Sequence, residues 1–331
     1  MTAVSATAAS TITWPEIGCG TWAWGNRLLW GYQPEMDAEL QQVFNYCVNS
    51  GATLFDTGDS YGTGKLQGRS EQLLGQFYQA YAGPNQAQIC LATKLAPYPW
   101  RLTRRAMINA AEASAERFGR PIDLVQMHWP TANYAPWQEG PLLDGLAELY
   151  CQGRVKGVGL SNYGPKRLRW AYQRFAERGV PIASLQVQYS LLSTAPVTQL
   201  GVKEVCDELG IQLIAYSPLA LGLLTGKYAP DNLPPTGIRR WGAKDMLPRI
   251  QPLLACLGAI ARERYKTIAQ VALNWCICKG AIPIPGAKNL AQAQDNIRAA
   301  GWRLNSGEVE ELDRISASLG KQMVQNPFQT R

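Results

Sequence analysis

The sequence predicts an α/β fold of the (β/α)8 barrel type, with long loops at its C-terminal face and an extra C-terminal helix. Three observations carry this expectation. Eight short apolar runs alternate with stretches of helical spacing, and repeated strand–helix units argue for a parallel sheet covered on both faces. Composition does not shift along the 331 residues and nothing reads as a linker. The chain is therefore expected to be one domain over 1–331, with about 1–14, rich in Ala, Ser and Thr, a flexible N-terminal tail. Finally, the long stretches without periodicity, Pro130 to Pro141 and Leu221 to Leu247, follow strands, and barrels of this kind carry their chemistry on strand-to-helix loops.

Ile17 to Trp22 is the first strand candidate. Met36 to Cys47 has helical spacing, and Thr53 to Asp56 is an apolar strand ending in a carboxylate. Ser70 suits a helix N-cap, with Glu71 favourable in the first turn. Gln88 to Thr93 is a strand ending at Lys94, Arg101 to Phe118 a helix, and Ile122 to Met127 a strand ending at His128. Leu142 to Cys151 is a helix and Val155 to Leu160 a strand leading to Ser161-Asn162. Pro165 fits the first position of a helix running to about Arg178. Ala183 to Val187 is a strand, and Val202 to Leu209 a helix closed by Gly210. Ile211 to Ala215 is a strand ending at Tyr216-Ser217-Pro218. Ile250 to Arg264 and Ile268 to Lys279 look helical. Ala281 to Ile284 is the last strand, Leu290 to Ala299 the last barrel helix, and Gly307 to Leu319 the extra helix before an irregular tail.

Bulk chemistry removes several function classes. Net charge is +7 without a long basic run. Arg104-Arg105 and Lys166-Arg167 read as solvated helix faces, so nucleic acid is not an expected partner. The modest positive excess suits a polyphosphate cofactor. Ile211 to Leu224 is the most apolar stretch, but it contains Gln212, Ser217 and Pro218 and is too short to span a bilayer, so no membrane partner is expected. The eight cysteines contain no Cys-x-x-Cys and read as reduced packing residues of a cytoplasmic protein. With His128 as the single histidine, no His-rich metal site is possible.

The chemistry-bearing residues share one property. Asp56, Lys94 and His128 each end or follow a different apolar strand, and Tyr61 lies in the loop after the first of these. In a barrel the four converge on one rim. A free phenol titrates near 10, and a nearby ammonium stabilises the phenolate and lowers that value. Asp56 would hold Lys94 charged, and His128 would orient a carbonyl. Two decoys are set aside. Gly18-Cys19-Gly20-Thr21-Trp22-Ala23 has dinucleotide-fingerprint spacing, but no helix follows it. Tyr61 and Lys65 are spaced as in the Tyr-x-x-x-Lys of short-chain dehydrogenases, but Gly62 and Gly64 between them oppose the helix that pair needs, at about 1 kcal/mol each.

The segments Phe55-Asp56-Thr57, Tyr61-Gly62, Gly68-Arg69-Ser70-Glu71, Ala92-Thr93-Lys94 and Met127-His128-Trp129-Pro130 resemble aldo-keto reductases. So do Gly157-Val158-Gly159-Leu160-Ser161-Asn162, Gln186-Val187-Gln188-Tyr189, Ala215-Tyr216-Ser217-Pro218-Leu219 and Ile284-Pro285-Gly286-Ala287-Lys288-Asn289. The resemblance runs from about Ile17 to Asp313 and looks closest to the cyanobacterial and plant-plastid branch. It implies NADPH-dependent reduction of aldehydes and ketones, with Asp56, Tyr61, Lys94 and His128 as a catalytic tetrad. A nicotinamide carboxamide would be held by Ser161, Asn162 and Gln186, and its ring would lie against Tyr216. Ser217, Leu219 and Gly222 would meet the pyrophosphate. Lys288, before a helix N-terminus, would meet the 2′-phosphate. Gln292, Asp295 and Asn296 match adenosine-contacting positions, Asp295 standing where many relatives have Glu. Gly20, Thr21, Trp22, Asp56, Lys227 and Gly286 complete the implied cofactor contacts. The family's N-terminal hairpin is short or missing here. The rival reading is a nicotinamide-binding regulatory subunit of the same fold, as in potassium-channel β subunits, but no partner-binding extension is evident. Trp22, Trp24, Trp100 and Trp129 are expected to wall the substrate pocket, favouring aromatic and medium-chain aldehydes over aldoses and keto acids. The partner is thus a small carbonyl compound, and the protein a monomer or weak oligomer.

Overall fold

Eight parallel strands follow one another around a single sheet in chain order. They are β1 (Cys19–Gly20), β2 (Leu54–Asp56), β3 (Cys90–Leu95), β4 (Ile122–Met127), β5 (Val155–Ser161), β6 (Ile182–Gln188), β7 (Gln212–Tyr216) and β8 (Ile282–Pro283). The structure, a computed structural model, describes residues 12–234 and 237–330. The first strand reaches the last through backbone bonds from Gly18 N to Pro283 O (3.0 Å) and from Gly20 N to Pro285 O (3.1 Å). A side chain on Gly20 would put its Cβ 2.7 Å from the Ile284 carbonyl oxygen, so this seam needs glycine.

Strand periodicity sorts the interior into layers. Leu54, Cys90, Ala92, Leu124, Ala183, Ile214, Ile282 and Ile284 form an apolar cluster inside the sheet. Two residues further along β2, β3 and β4 come Asp56, Lys94 and Gln126, and three residues past Ala183 on β6 comes Gln186, all buried. Hydrocarbon therefore fills the lower barrel and polar groups close its top. Ile12 and Trp14 pack against the lower cluster. Ile12 and Trp14, expected in the flexible tail, are thus packed, and residues 1–11 of that expected tail lie outside the described ones. A larger cluster, including Phe44, Phe55, Leu146 and Phe175, fills the space between sheet and helices.

The helices bring several corrections. The helix after β2 spans Arg69–Ala80 with Gly68 as its cap, at φ 78°. Ser70 is therefore inside the first turn, and its hydroxyl is committed to Thr21 (2.7 Å) and Thr57 (2.8 Å). Part of Pro130 to Pro141, expected to be a loop, is helical: the helix spans Pro136–Cys151 with Pro136 in its first turn. Buried tertiary bonds hold that turn, from Gln138 to Tyr98 O (2.7 Å) and from Thr131 N to Glu139 (3.0 Å). Leu221 to Leu247 likewise contains a 3-10 turn, Ala220–Thr225, and a helix, Gly237–Arg249. The extra C-terminal helix is Ser306–Ser318, started by a reciprocal cap between Asn305 and Glu308.

Candidate active site

Asp56 ends β2, Lys94 is the second-to-last residue of β3, and His128 directly follows β4. Register places Asp56 beside Ala92 and Lys94 beside Gln126. The Lys94 ammonium pairs with Asp56 Oδ2, with both side chains almost fully buried. Asp56 Oδ1 accepts from Gln126 Nε2 (3.0 Å) and Gln186 Nε2 (2.8 Å). Lys94 Nζ stands 5.0 Å from the Tyr61 ring centre, and the Tyr61 and His128 rings meet edge to face at 5.9 Å. Ser60 Oγ lies 3.4 Å from His128 Nδ1.

The loop carrying Tyr61 is stitched to the end of β3. Asp59 N donates to Lys94 O (2.9 Å), Ala96 N donates to Asp59 Oδ1 (3.1 Å), and Arg101 pairs with Asp59 Oδ2. Gly62 turns the loop at φ 107°, where a Cβ would meet Leu66 O at 1.8 Å. Lys65, in that same loop, is exposed.

Burial and charge pull these groups in different directions. Burial raises the Tyr61 phenol above its usual value, and the Lys94 ammonium offsets this only in part. The expected net lowering is therefore absent from this site, because desolvation outweighs the ammonium. Burial alone would lower Lys94, but Asp56 and Tyr61 outweigh it and keep its pKa above the ordinary lysine value. Burial, and then the charge of Lys94, holds His128 well below the usual histidine value, so the ring is neutral at physiological pH.

Beyond the rim, Ser161, Asn162 and Gln186 are buried side by side at the ends of β5 and β6. The Tyr216 hydroxyl donates to Asn162 Oδ1 (2.9 Å) and accepts from Asn326 Nδ2 (3.0 Å). The backbone is left-handed at Asn162, Ser217, Ala220, Leu221 and Gly222. Ser217, Ala220 and Leu221, three non-glycine residues in one short loop, store strain of the kind found where backbone cradles a ligand, while Gly222 takes this conformation freely. Leu219 lies in the same loop. Gly20 bridges to Gly286, and Thr21 donates its hydroxyl to Asp56 O (3.0 Å).

Lys288 precedes the helix Leu290–Ile297 and donates to Trp30 O (3.2 Å). The Arg239 guanidinium lies 4.4 Å from the Trp30 ring centre, and the charges of Arg239 and Lys227, after burial, push the Lys288 pKa down. Among the described residues no carboxylate pairs with these three cations. Arg239 Nε and Trp30 Nε1 are buried there without a hydrogen-bond partner. A cluster of donors lacking an acceptor fits a bound polyanion. Gln292 Oε1 accepts from Lys288 N (2.9 Å), and Asn296 Nδ2 donates to Gly286 O (3.3 Å). Asp295 faces elsewhere: it accepts from Thr267 (2.9 Å) and Gln270 (2.7 Å) at the cap of the helix Ile268–Cys278. That corrects its expected adenosine contact.

The four tryptophans separate. Trp24 is fully buried, donating to Ala287 O (2.9 Å) and packing on Phe77, so it is core and not pocket wall. Trp100 is largely exposed and stacks on Tyr98. Trp22 meets Trp30 edge to face. Trp129 lies 4.7 Å from the His128 ring and is covered by Phe328 of the C-terminal segment, stacked at 4.8 Å. Sequence reasoning missed Gln126, Arg239, Asn326 and Phe328. Only Gln126 carried a signal: counting back two from His128 along a strand puts it inside the barrel.

Residues 16–317 match the Aldo/keto reductase family. The chain is 51% identical over 318 residues to a chloroplastic pyridoxal reductase of Arabidopsis thaliana, covering 95% of this chain and 87% of the relative. It is 35% identical over 306 residues to an uncharacterized oxidoreductase of Mycobacterium tuberculosis, covering 90% and 88%. Among solved structures, a thermostable aldo-keto reductase bound to the inhibitor epalrestat superposes with a TM-score of 0.72 at 24% identity, over 91% of this chain and 95% of that one. An aldo-keto reductase from Klebsiella pneumoniae in complex with NADPH gives a TM-score of 0.69 at 22% identity, over 96% and 99%.

Proposed function

The chain belongs to the aldo/keto reductase family, and we propose that it is an NADPH-dependent carbonyl reductase whose substrates are aromatic aldehydes of the pyridoxal class. One observation carries the catalytic assignment. Asp56, Lys94, Tyr61 and His128 arrive from three strands and a loop, with a buried ion pair lying directly beneath a phenol.

Bound NADPH supplies the hydride. Tyr61, kept protonated at neutral pH by its burial, donates its proton to the carbonyl oxygen. Lys94 stabilises the phenolate left behind, and Asp56 keeps Lys94 charged. Neutral His128, with Ser60 near Nδ1, uses its other nitrogen to orient the carbonyl. Positioned proton donation contributes roughly 10²–10⁴-fold, and alignment of the reactants supplies much of the remainder. Ser161, Asn162 and Gln186 would hold the carboxamide, and Tyr216 would back the ring. Gly20, Thr21 and Trp22 would complete the contacts at the same mouth. The strained loop through Ser217, Leu219 and Gly222 would receive the pyrophosphate. Lys288, Lys227 and Arg239 would take the 2′-phosphate, with Gln292 and Asn296 beside the adenosine.

Two features support the substrate class. The relative at 51% identity is named for pyridoxal. The wall next to His128 is aromatic, built of Trp129 and Phe328, and flat rings gain from stacking there. Arg101, the arginine of the rim segment after β3, is committed to Asp59 and is not free to clamp a carboxylate. The test is NADPH consumption with pyridoxal, benzaldehyde, glucose and pyruvate. The aromatic aldehydes should lead in kcat/KM. A clear lead for glucose or pyruvate would remove the substrate assignment.

A further inference from the structure

Asp56 is a carboxylate buried in the barrel interior, and such a group is tolerated there only if its oxygens have donors. Lys94 serves Oδ2. Oδ1 is served by two amides, Gln126 at 3.0 Å and Gln186 at 2.8 Å. A carboxylate only accepts, so each glutamine must present its Nε2 to it. Gln126 Oε1 in turn faces Gln186 Nε2 at 3.4 Å. Both glutamines are buried, Gln126 completely.

The barrel makes room for Gln126. Its neighbour in register on β5 is Gly159. A Cβ there would stand 3.0 Å from Gln126 Cγ and 2.4 Å from Ser184 Oγ. One layer down, β4 contributes apolar Leu124, so a polar amide at position 126 is not demanded by packing.

Gln186 has two claims on it. It bonds Asp56, and it is also a proposed holder of the carboxamide. Once it turns to the cofactor, Gln126 is left as the donor on Oδ1. We propose that Gln126 is a positioning residue of the reduction, holding Asp56 in the rotation that pairs it with Lys94 beneath Tyr61 while Gln186 serves the cofactor. This rests on the tetrad reading given above. The titratable groups around Asp56 are Lys94 and Cys90 from β3, Tyr61 from its loop and His128 after β4, with Tyr216 at the end of β7 beyond Tyr61.

The experiment compares Gln126→Met, which deletes the donor at similar volume, with Gln126→Glu, which donates only while protonated. The readouts are kcat against pH with a saturating aromatic aldehyde, NADPH affinity and melting temperature, with Tyr61→Phe as a separate arm. For Gln126→Met, kcat should fall about tenfold, with its alkaline limb displaced to lower pH because a weakened Asp56 lets Lys94 lose its proton sooner. NADPH affinity should stay within about twofold. Gln126→Glu should approach wild-type kcat at low pH and collapse as its new carboxyl ionises beside Asp56. If Gln126→Met does not fold, the profile of Gln126→Glu decides. Profiles that superimpose on wild type overturn the proposal, as do parallel losses of kcat, affinity and melting temperature at every pH. Full activity in Tyr61→Phe overturns the tetrad reading and this proposal together. An inactive Tyr61→Phe beside unchanged Gln126 profiles overturns the role of Gln126 alone.

Discussion

Two lysines compete in the sequence for Tyr61, and their surroundings separate them. Lys65 is four residues away but exposed. Lys94 comes from another strand, is buried, and lies 5.0 Å from the phenol ring centre. Lys94→Met should therefore remove most carbonyl reduction, while Lys65→Met should stay within about twofold of wild type in kcat/KM. His128 permits a second test, because it is the only histidine. Its folded pKa is depressed by burial and by Lys94, so the fold favours its neutral form. The resulting stability is complete above the unfolded value of about 6.5 and is lost as pH falls from there toward the folded value. The free energy of unfolding should decline between pH 7 and 5, His128 contributing a slope of at most about 1.4 kcal/mol per pH unit, and melting temperature should fall with it. In His128→Asn the decline should be shallower by that share. At this scale the placement of Asp56, Lys94 and His128 at or just after strand ends was legible, because each closes an apolar run. Trp24 was not: its place behind Ala287 depends on how two distant loops meet, which no local pattern encodes.

At the scale of elements, the stretches that escaped sequence reading are those now placed against the site. Leu221 to Leu247 showed no periodicity, yet Gly237–Arg249 is helical and delivers Arg239 to Lys288 across Trp30. Charge-assisted hydrogen bonds are worth roughly 1.5–3 kcal/mol. Lys288→Ala and Arg239→Ala should each weaken NADPH about tenfold or more in fluorescence titrations while barely changing NADH. Equal losses for both cofactors would remove these residues from the phosphate. Among the described residues the C-terminal segment after Ser318 has no helix or strand, and scattered long-range bonds hold it, among them Met323 N to Leu192 O (2.8 Å), Asn326 to Tyr216 (3.0 Å) and Thr330 N to Asn162 O (3.1 Å). Such pairings over a hundred or more residues leave no periodic trace. Phe328→Ala uncovers Trp129 and should lower kcat/KM for an aromatic aldehyde more than for propanal. An equal effect on both would place Phe328 outside substrate recognition.

For the whole molecule, the order of strands and helices was legible because periods of two and 3.6 alternate eight times. The barrel's closure was less so, since β1 and β8 are each two residues long and the seam depends on glycine backbones at Gly18 and Gly20. Apolar layers below and polar layers above follow from the same alternation. They leave the buried Lys94–Asp56 pair at the rim. The central claim is that this pair serves Tyr61 as proton donor. It is tested most directly by mixing the NADPH complex with pyridoxal and timing hydride transfer in wild type and in Tyr61→Phe. The account predicts that Tyr61→Phe binds NADPH within about twofold of wild type and transfers hydride at least about 10²-fold more slowly. Transfer at the wild-type rate in Tyr61→Phe would contradict it.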